Sequence, residues 1–221
     1  GGNLVLANDV IASNTLQLSG GNIQTGSNKL TLGTSTVSVG TLNPISGYII
    51  GEFERWINST GTVIFPLGSS SQKTIYFTLN GLNSGGSVVS EFIETDPGNN
   101  GLSLVDGTVT IYNTFVEGYW SLSEQNGFNL GGGNTYDISL DGNGLTSFPI
   151  NAATRILSRP NSGSSWVTDG THLDATGSLV NRVGLSSLPA EFALGDSTNC
   201  SRPIASAITG AIEVDISQTG V

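Results

Sequence analysis

Short pieces of alternating apolar residues, each closed by glycine or asparagine, run the length of this chain and decide what it can fold into. Over residues 2–40 they are Leu4-Val5-Leu6, Val10-Ile11-Ala12, Leu16-Gln17-Leu18, Ile23, Leu30-Thr31-Leu32 and Val37-Ser38-Val39. Apolar side chains recurring every second residue mark half-buried strands, and Asn or Gly between them accepts φ > 0 at little cost. A spacing of about seven to ten residues per piece suits either a tight meander or a few coils of a β-solenoid. The solenoid is favoured, without a strict repeat. Residues 1–40 are therefore read as a short-strand, solenoid-like or meander region.

From Gly47 the strands lengthen. Tyr48-Ile49-Ile50 leads into Phe53, Arg55 and Trp56, and residues 62–65 follow the turn Asn58-Ser59-Thr60-Gly61. This is a hairpin signal with aromatic residues on both arms. Further strands are expected at residues 73–79, 88–93, 108–112, 116–122, 135–140, 154–157, 165–167, 179–183 and 191–194. Strands at this spacing, with turn signals such as Asp96-Pro97-Gly98 between them, read as an antiparallel β-sandwich over residues 41–195, Ig-like or jelly-roll-like. No stretch keeps a helical period over ten residues, so an all-β fold with almost no helix is expected. Residues 196–221 read as a linker and a terminal strand. In that strand Ala211, Ile212, Val214 and Ile216 supply the apolar positions. Lacking a sequential partner, it either closes its own sheet or acts as an assembly strand on a neighbouring molecule or domain.

Composition narrows the setting. A chain of 221 residues can bury a sizeable core, and its 37% hydrophobic content in strand-length pieces argues against disorder. Only 11% of residues are charged, against about a quarter in an ordinary domain, so the polar surface is mostly hydroxyl and amide. Seven basic against 17 acidic residues give a formal charge of −10. That balance excludes a nucleic-acid partner, which needs a positive footprint, and disfavours an anionic membrane surface. No apolar run approaches the ~18 residues of a membrane helix, so direct membrane insertion is not expected. Cys200 is the only cysteine, either a buried thiol or an intermolecular link, with the former favoured. Opening on Gly1-Gly2 and containing no methionine, the chain reads as a processed or excised piece.

Candidate chemistry is sparse. Nucleophilic catalysis needs a base beside the nucleophile, and the single histidine, His172, sits in what reads as a turn. No Gly-x-Ser-x-Gly elbow occurs. Glu52, Glu54, Glu91, Glu94 and the other glutamates are scattered, and carboxylates two apart on one strand do not flank a sugar bond. The chain is therefore not read as an enzyme. Asp137, Asp141 and Asn143 form an oxygen-rich segment that could ligate Ca2+, and Asp96, Asn99 and Asn100 a second one. Among the aromatics Trp56, Tyr119, Trp120 and Trp166, the adjacent Tyr119 and Trp120 face opposite sides of one strand, which leaves one as a sugar-stacking candidate.

Five motifs in order carry a resemblance: Gly21-Asn22-Ile23-Gln24-Thr25-Gly26-Ser27-Asn28-Lys29-Leu30-Thr31-Leu32-Gly33, Gly47-Tyr48-Ile49-Ile50-Gly51, Phe65-Pro66-Leu67-Gly68, Glu117-Gly118-Tyr119-Trp120 and Phe192-Ala193-Leu194-Gly195. This string resembles β-rich, adhesin-like segments of large secreted surface proteins of Bacteroidetes. The resemblance implies an extracellular, cell-surface β-module with no catalytic residues. It also implies that Asp196-Ser197-Thr198 is an O-glycosylation acceptor, with Ser197 the modified residue. The expected function is a non-catalytic structural or adhesive module, either a self-assembling filament subunit joined by strand donation or a segment of a longer chain. Its partners would be itself, neighbouring domains or surface glycans. The alternative is a carbohydrate-binding module that uses exposed aromatics.

Overall fold

The computed structural model describes residues 2–188 and 190–199. Among them every regular element is a strand, as the two-residue period predicts. Cys200 and the alternating segment holding Ala211, Ile212, Val214 and Ile216 lie outside the described residues.

The N-terminal pieces stack as parallel coils. β1 (Leu4–Val5), β2 (Val10–Ala12) and β3 (Thr15–Ser19) make the first, and β4 (Ile23–Leu32) and β5 (Thr41–Ser46) the second. β6 (Ile49–Ile57) opens the third. The ladder runs Leu4–Ile23–Ile49 along one side, Val10–Leu30–Phe53 further along, and Leu16–Leu42 between β3 and β5. Of the meander and the solenoid, the pairing is that of the solenoid. Each coil turns at a glycine. A Cβ on Gly47 (φ +95) would lie 2.2 Å from the carbonyl oxygen of Gly21, and one on Gly21 would lie 2.5 Å from that of Gly2. Successive corners thus pack backbone on backbone, where no side chain fits.

Two layers follow. The chain adds β7 (Gly61–Phe65), β8 (Ile75–Leu79), β9 (Gly86–Ile93), β10 (Leu104–Asp106), β11 (Val109–Ile111), β12 (Asn113–Thr114) and β13 (Tyr119–Gln125). β14 (Tyr136–Asp141), β15 (Arg155–Arg159), β16 (Thr171–Thr176), β17 (Leu179–Leu185) and β18 (Glu191–Asp196) complete it. A nine-stranded sheet runs β1-β4-β6-β9-β13-β18-β12, with β2 also on β4 and β15 on β18; a five-stranded antiparallel sheet runs β16-β17-β14-β8-β7. β6 is the joint, parallel to β4 on one edge and antiparallel to β9 on the other. One apolar core runs from Leu6 and Leu18 of the coils through Phe53, Phe65, Trp120 and Tyr136 to Phe192. The sandwich reading holds.

Several local expectations are corrected. Residues 48–65 are not a hairpin, because β4 and β9 occupy both edges of β6 and β7 joins the opposite sheet beside β8. Val37 is 93% exposed at the tip of a turn closed by Thr34 N–H on Ser38 O at 2.8 Å, so residues 37–39 are not a strand. Residues 165–167 make one isolated bridge, Ser158 with Val167. Neither boundary of the sandwich is a break. Strands pair and share a core across residue 40, and Asp196 is the buried last residue of β18, paired with Asn113.

Candidate functional site

Trp120 and Tyr119 lie on β13 with the opposite facing that alternation requires, but neither is an open stacking surface. Trp120 is fully buried, packed edge-on against Phe92 with centroids 5.1 Å apart, and its indole N–H donates to Lys73 O at 2.8 Å. A ligand platform at Trp120 is therefore corrected to a core position. Tyr119 is half-buried because the β10–β11 hairpin lies over the outer face of β15 and β18. Ile111, Leu157, Trp166 and Ala193 form a second small core there, against which Tyr119 packs. Arg182, 1% exposed, binds Asp106 with Nη1 at 2.8 Å and Nη2 at 3.0 Å, which fastens this hairpin to β17.

The three calcium candidates are not brought together. Asp137 and Asp141 sit four residues apart on one face of β14, about 13 Å at strand rise. Asp137 Oδ1 accepts from Asn80 Nδ2 and Gly184 N, and Asp141 Oδ1 from Ser178 Oγ and Asn143 N. Asn143 presents its backbone carbonyl to Ser71 Oγ and to the ammonium of Lys73. Lys73 is 2% exposed, so positive charge at this turn is already supplied by the chain. Burial lowers the Lys73 pKa, with Asp141, Glu94 and Glu117 opposing that shift. In the other oxygen-rich turn, Asn99 bonds Asn113 and the Thr114 backbone, and Asn100 bonds Gly163 O. Among the described residues no group of three or more His, Cys, Asp or Glu could hold a metal ion.

Ser197 is half-buried between Asp196, whose carboxylate accepts Thr198 N–H at 2.7 Å, and Thr198, whose carbonyl accepts from Asn113 Nδ2. The segment is stapled to β12 rather than forming a free linker. His172 stands on β16, not in a turn, with Nε2 2.8 Å from Arg155 Nη1. Burial first, and then Arg155, lower its pKa. It is a strand residue held in an arginine–aspartate network.

What the fold does assemble lies on the outer face of the nine-stranded sheet. Because Phe53 faces the core, Glu52, Glu54 and Trp56 of β6 face outward. Parallel register sets Glu54 beside Thr31 and Glu52 beside Lys29, and antiparallel register sets Trp56 beside Ser87 of β9. Glu54 is only 4% exposed. Its Oε2 takes the Lys29 ammonium at 2.7 Å and the Thr31 hydroxyl at 3.1 Å; its Oε1 takes Ser87 Oγ at 2.6 Å and Asn126 Nδ2 at 2.9 Å. Asn126 reaches in from the turn after β13 with φ +50, a left-handed conformation that asparagine tolerates. Burial raises the Glu54 pKa, but Lys29, Ser87 and Thr31 outweigh it and hold the carboxylate below its ordinary value. All four acceptor positions are engaged, so Glu54 is a fixed charge and not a poised proton carrier.

Beside this hub runs a groove of about 320 Å³ lined by Asp9, Ile11, Lys29, Thr31, Trp56 and Asn126. Glu91, on β9, has its pKa raised by burial and by Glu52. It lines a second groove of about 470 Å³ with Gln24, Ile50 and Glu94. Sequence reading noticed Glu54 and Trp56 separately but missed Lys29, Thr31 and Asn126, which become neighbours only through sheet register.

The fold and these surfaces define a class: an all-β sandwich extended at one end by parallel coils. Comparison with family models, with curated proteins and with solved structures finds no match to the chain.

Proposed function

We propose that the chain is a non-catalytic extracellular structural or adhesive β-module that associates by strand addition. One observation carries this reading. The outer edge of the first coil, β1 and β2, has no partner strand among the described residues, and it presents Leu4 at 58%, Val5 at 65%, Val10 at 40% and Ile11 at 63% exposure. An open edge with apolar side chains is a template for another strand. The occupant we assign is the alternating segment Ala211-Ile212-Glu213-Val214-Asp215-Ile216 of a second copy, a strand-length run with apolar positions to set against that edge. The hydroxyl- and amide-rich, weakly charged surface supports the extracellular setting.

Each apolar side chain fully buried contributes about 1.5–3 kcal/mol, and association costs about 4–15 kcal/mol. Four partly exposed side chains plus backbone pairing therefore support weak to moderate association. Light scattering across a concentration series tests it. The intact chain is expected to associate, and both removal of residues 213–221 and the double substitution Leu4→Lys, Val5→Lys are expected to leave folded monomers. An intact chain that stays monomeric to about 1 mM, or association that survives both changes, refutes the proposal.

A further inference from the structure

We infer that the groove beside Glu54 is a binding site for a neutral saccharide, with the Trp56 ring as its stacking surface. This does not rest on the assembly reading: Ile11 of β2 is shared with the open edge, but Trp56 and the Glu54 hub lie on β6, two strands in from it.

Of the three tryptophans, Trp120 is 0% and Trp166 1% exposed, while Trp56 is half-buried and lines the groove. Sugars combine an apolar face of C–H groups with a rim of hydroxyls, each both donor and acceptor. A site for them therefore pairs a flat ring with fixed polar groups of both kinds. The rim here has that composition. Lys29 gives one N–H to Glu54 and keeps two more, and its side chain is 31% exposed. Thr31 donates to Glu54, which leaves its oxygen lone pairs to accept. The Asn126 amide nitrogen is committed to Glu54 and Ser87, which leaves its carbonyl oxygen as an acceptor. Asp9 Oδ1 accepts from the Lys29 backbone N–H at 2.9 Å, which leaves Oδ2 as an acceptor.

The buried Glu54 carboxylate ties these groups together across β4, β6, β9 and the turn after β13. They are thus fixed before a ligand arrives, and little rotamer entropy remains to be lost on binding. Two carboxylates against one ammonium leave the groove net negative within a chain of charge −10, which selects against anionic ligands. A volume of about 320 Å³ lies at the low end of small-ligand sites and suits one or two sugar rings. The larger groove at Glu91 and Glu94 lacks an accessible ring, since the Phe92 ring in it is buried against Trp120.

The test is calorimetric titration of the full chain with neutral glucose-, mannose-, galactose- and xylose-based tetrasaccharides, followed in parallel by tryptophan fluorescence. At least one is expected to bind saturably and to change the fluorescence. Trp56→Ala is expected to weaken binding about tenfold or more and to abolish the fluorescence change. Trp56→Phe, which keeps a ring, is expected to retain most of the affinity. Circular dichroism melts of both variants establish that each is folded. Absence of saturable heat from every sugar with the folded wild-type chain overturns the assignment. So does binding that Trp56→Ala leaves unchanged.

Discussion

Replacing Glu54 by glutamine keeps the shape of the side chain and removes its charge. The glutamine carbonyl still accepts from Ser87 and Asn126, but its amide faces the Lys29 ammonium that now bonds Oε2 at 2.7 Å. Lys29 is 31% exposed and turns to water, so its desolvation is not the main loss. What disappears is the charge assistance of the ion pair and of two short bonds inside a site that is 4% exposed. Hydrogen bonds to charged groups contribute about 1.5–3 kcal/mol each and neutral ones about 1, so the net cost is about 2–3 kcal/mol. For a chain of this length that is a fall of about 4–12 °C in Tm. Because the folded-state pKa lies below the ordinary 4.5, the unfolded chain takes up its proton first as pH falls. The stabilisation is full above about 4.5 and is lost as pH drops through the folded value. The measurement is urea unfolding of both proteins at pH 7 and at pH 3. The difference is expected to narrow at the lower pH; a difference below about 0.5 kcal/mol at pH 7, or an equal one at both, refutes the charge-hub account.

Gly47→Ala forces a Cβ to within 2.2 Å of Gly21 O at φ +95 and is expected to cost about 2–4 kcal/mol in urea unfolding. Gly177→Ala, also at positive φ (+62) but with open space around it, is the control and is expected to cost about 1 kcal/mol. His172 faces Arg155, Arg182, Asp106 and Asp174, and its pKa is lowered, so the unfolded chain protonates first below about 6.5. Stability from this group is full above that pH and falls as pH drops toward the folded value. His172→Gln is expected to flatten Tm between pH 5 and 8 relative to the wild type, and parallel curves refute it. Hydrogen exchange is expected to be fastest at β1 and β2 and slowest in β6, β9 and β13, since among the described residues the first coil is supported on one side only; uniform protection refutes that gradient.

The fold class was legible because the two-residue period survives in nearly every strand. The coil repeat was also written in the chain, as Gly2-Asn3-Leu4, Gly21-Asn22-Ile23 and Gly47-Tyr48-Ile49. Those triads fall 19 and 26 residues apart, and the unequal spacing hides them from a search for a fixed period. The surplus sits mainly in the turn between β4 and β5, where the second coil spends nine residues from Leu32 to Thr41 while the first spends three from Ala12 to Thr15. Asp106-Gly107, flanked by Leu104-Val105 and Val109-Thr110-Ile111, is a strong hairpin signal that went unread. Reading it would have placed a cover over β15 and β18. What no local pattern carries is the layer each strand joins. Alternation in β6 and β7 looks the same whether they pair or part, and only the occupancy of both edges of β6 decides it.

The same limit explains the sites. Parity correctly put Tyr119 and Trp120 on opposite faces, but exposure depends on what covers each face, and here the core covers one and the hairpin the other. Counting acidic side chains grouped Asp137 with Asp141, yet strand rise separates them while the chain's own Lys73 reaches the Asn143 carbonyl. Lys29 and Glu54 lie 25 residues apart in sequence and meet because one coil stacks on the next. A parallel coil thus does for Glu54, Thr31 and Lys29 what a hairpin does for cross-strand pairs. It converts a repeat in the backbone into a row of side chains. In a chain built this way, polar residues that face outward at matching positions of successive coils form the surface on which function is to be sought, and the Glu54 row runs on to the half-buried Trp56 at the same groove.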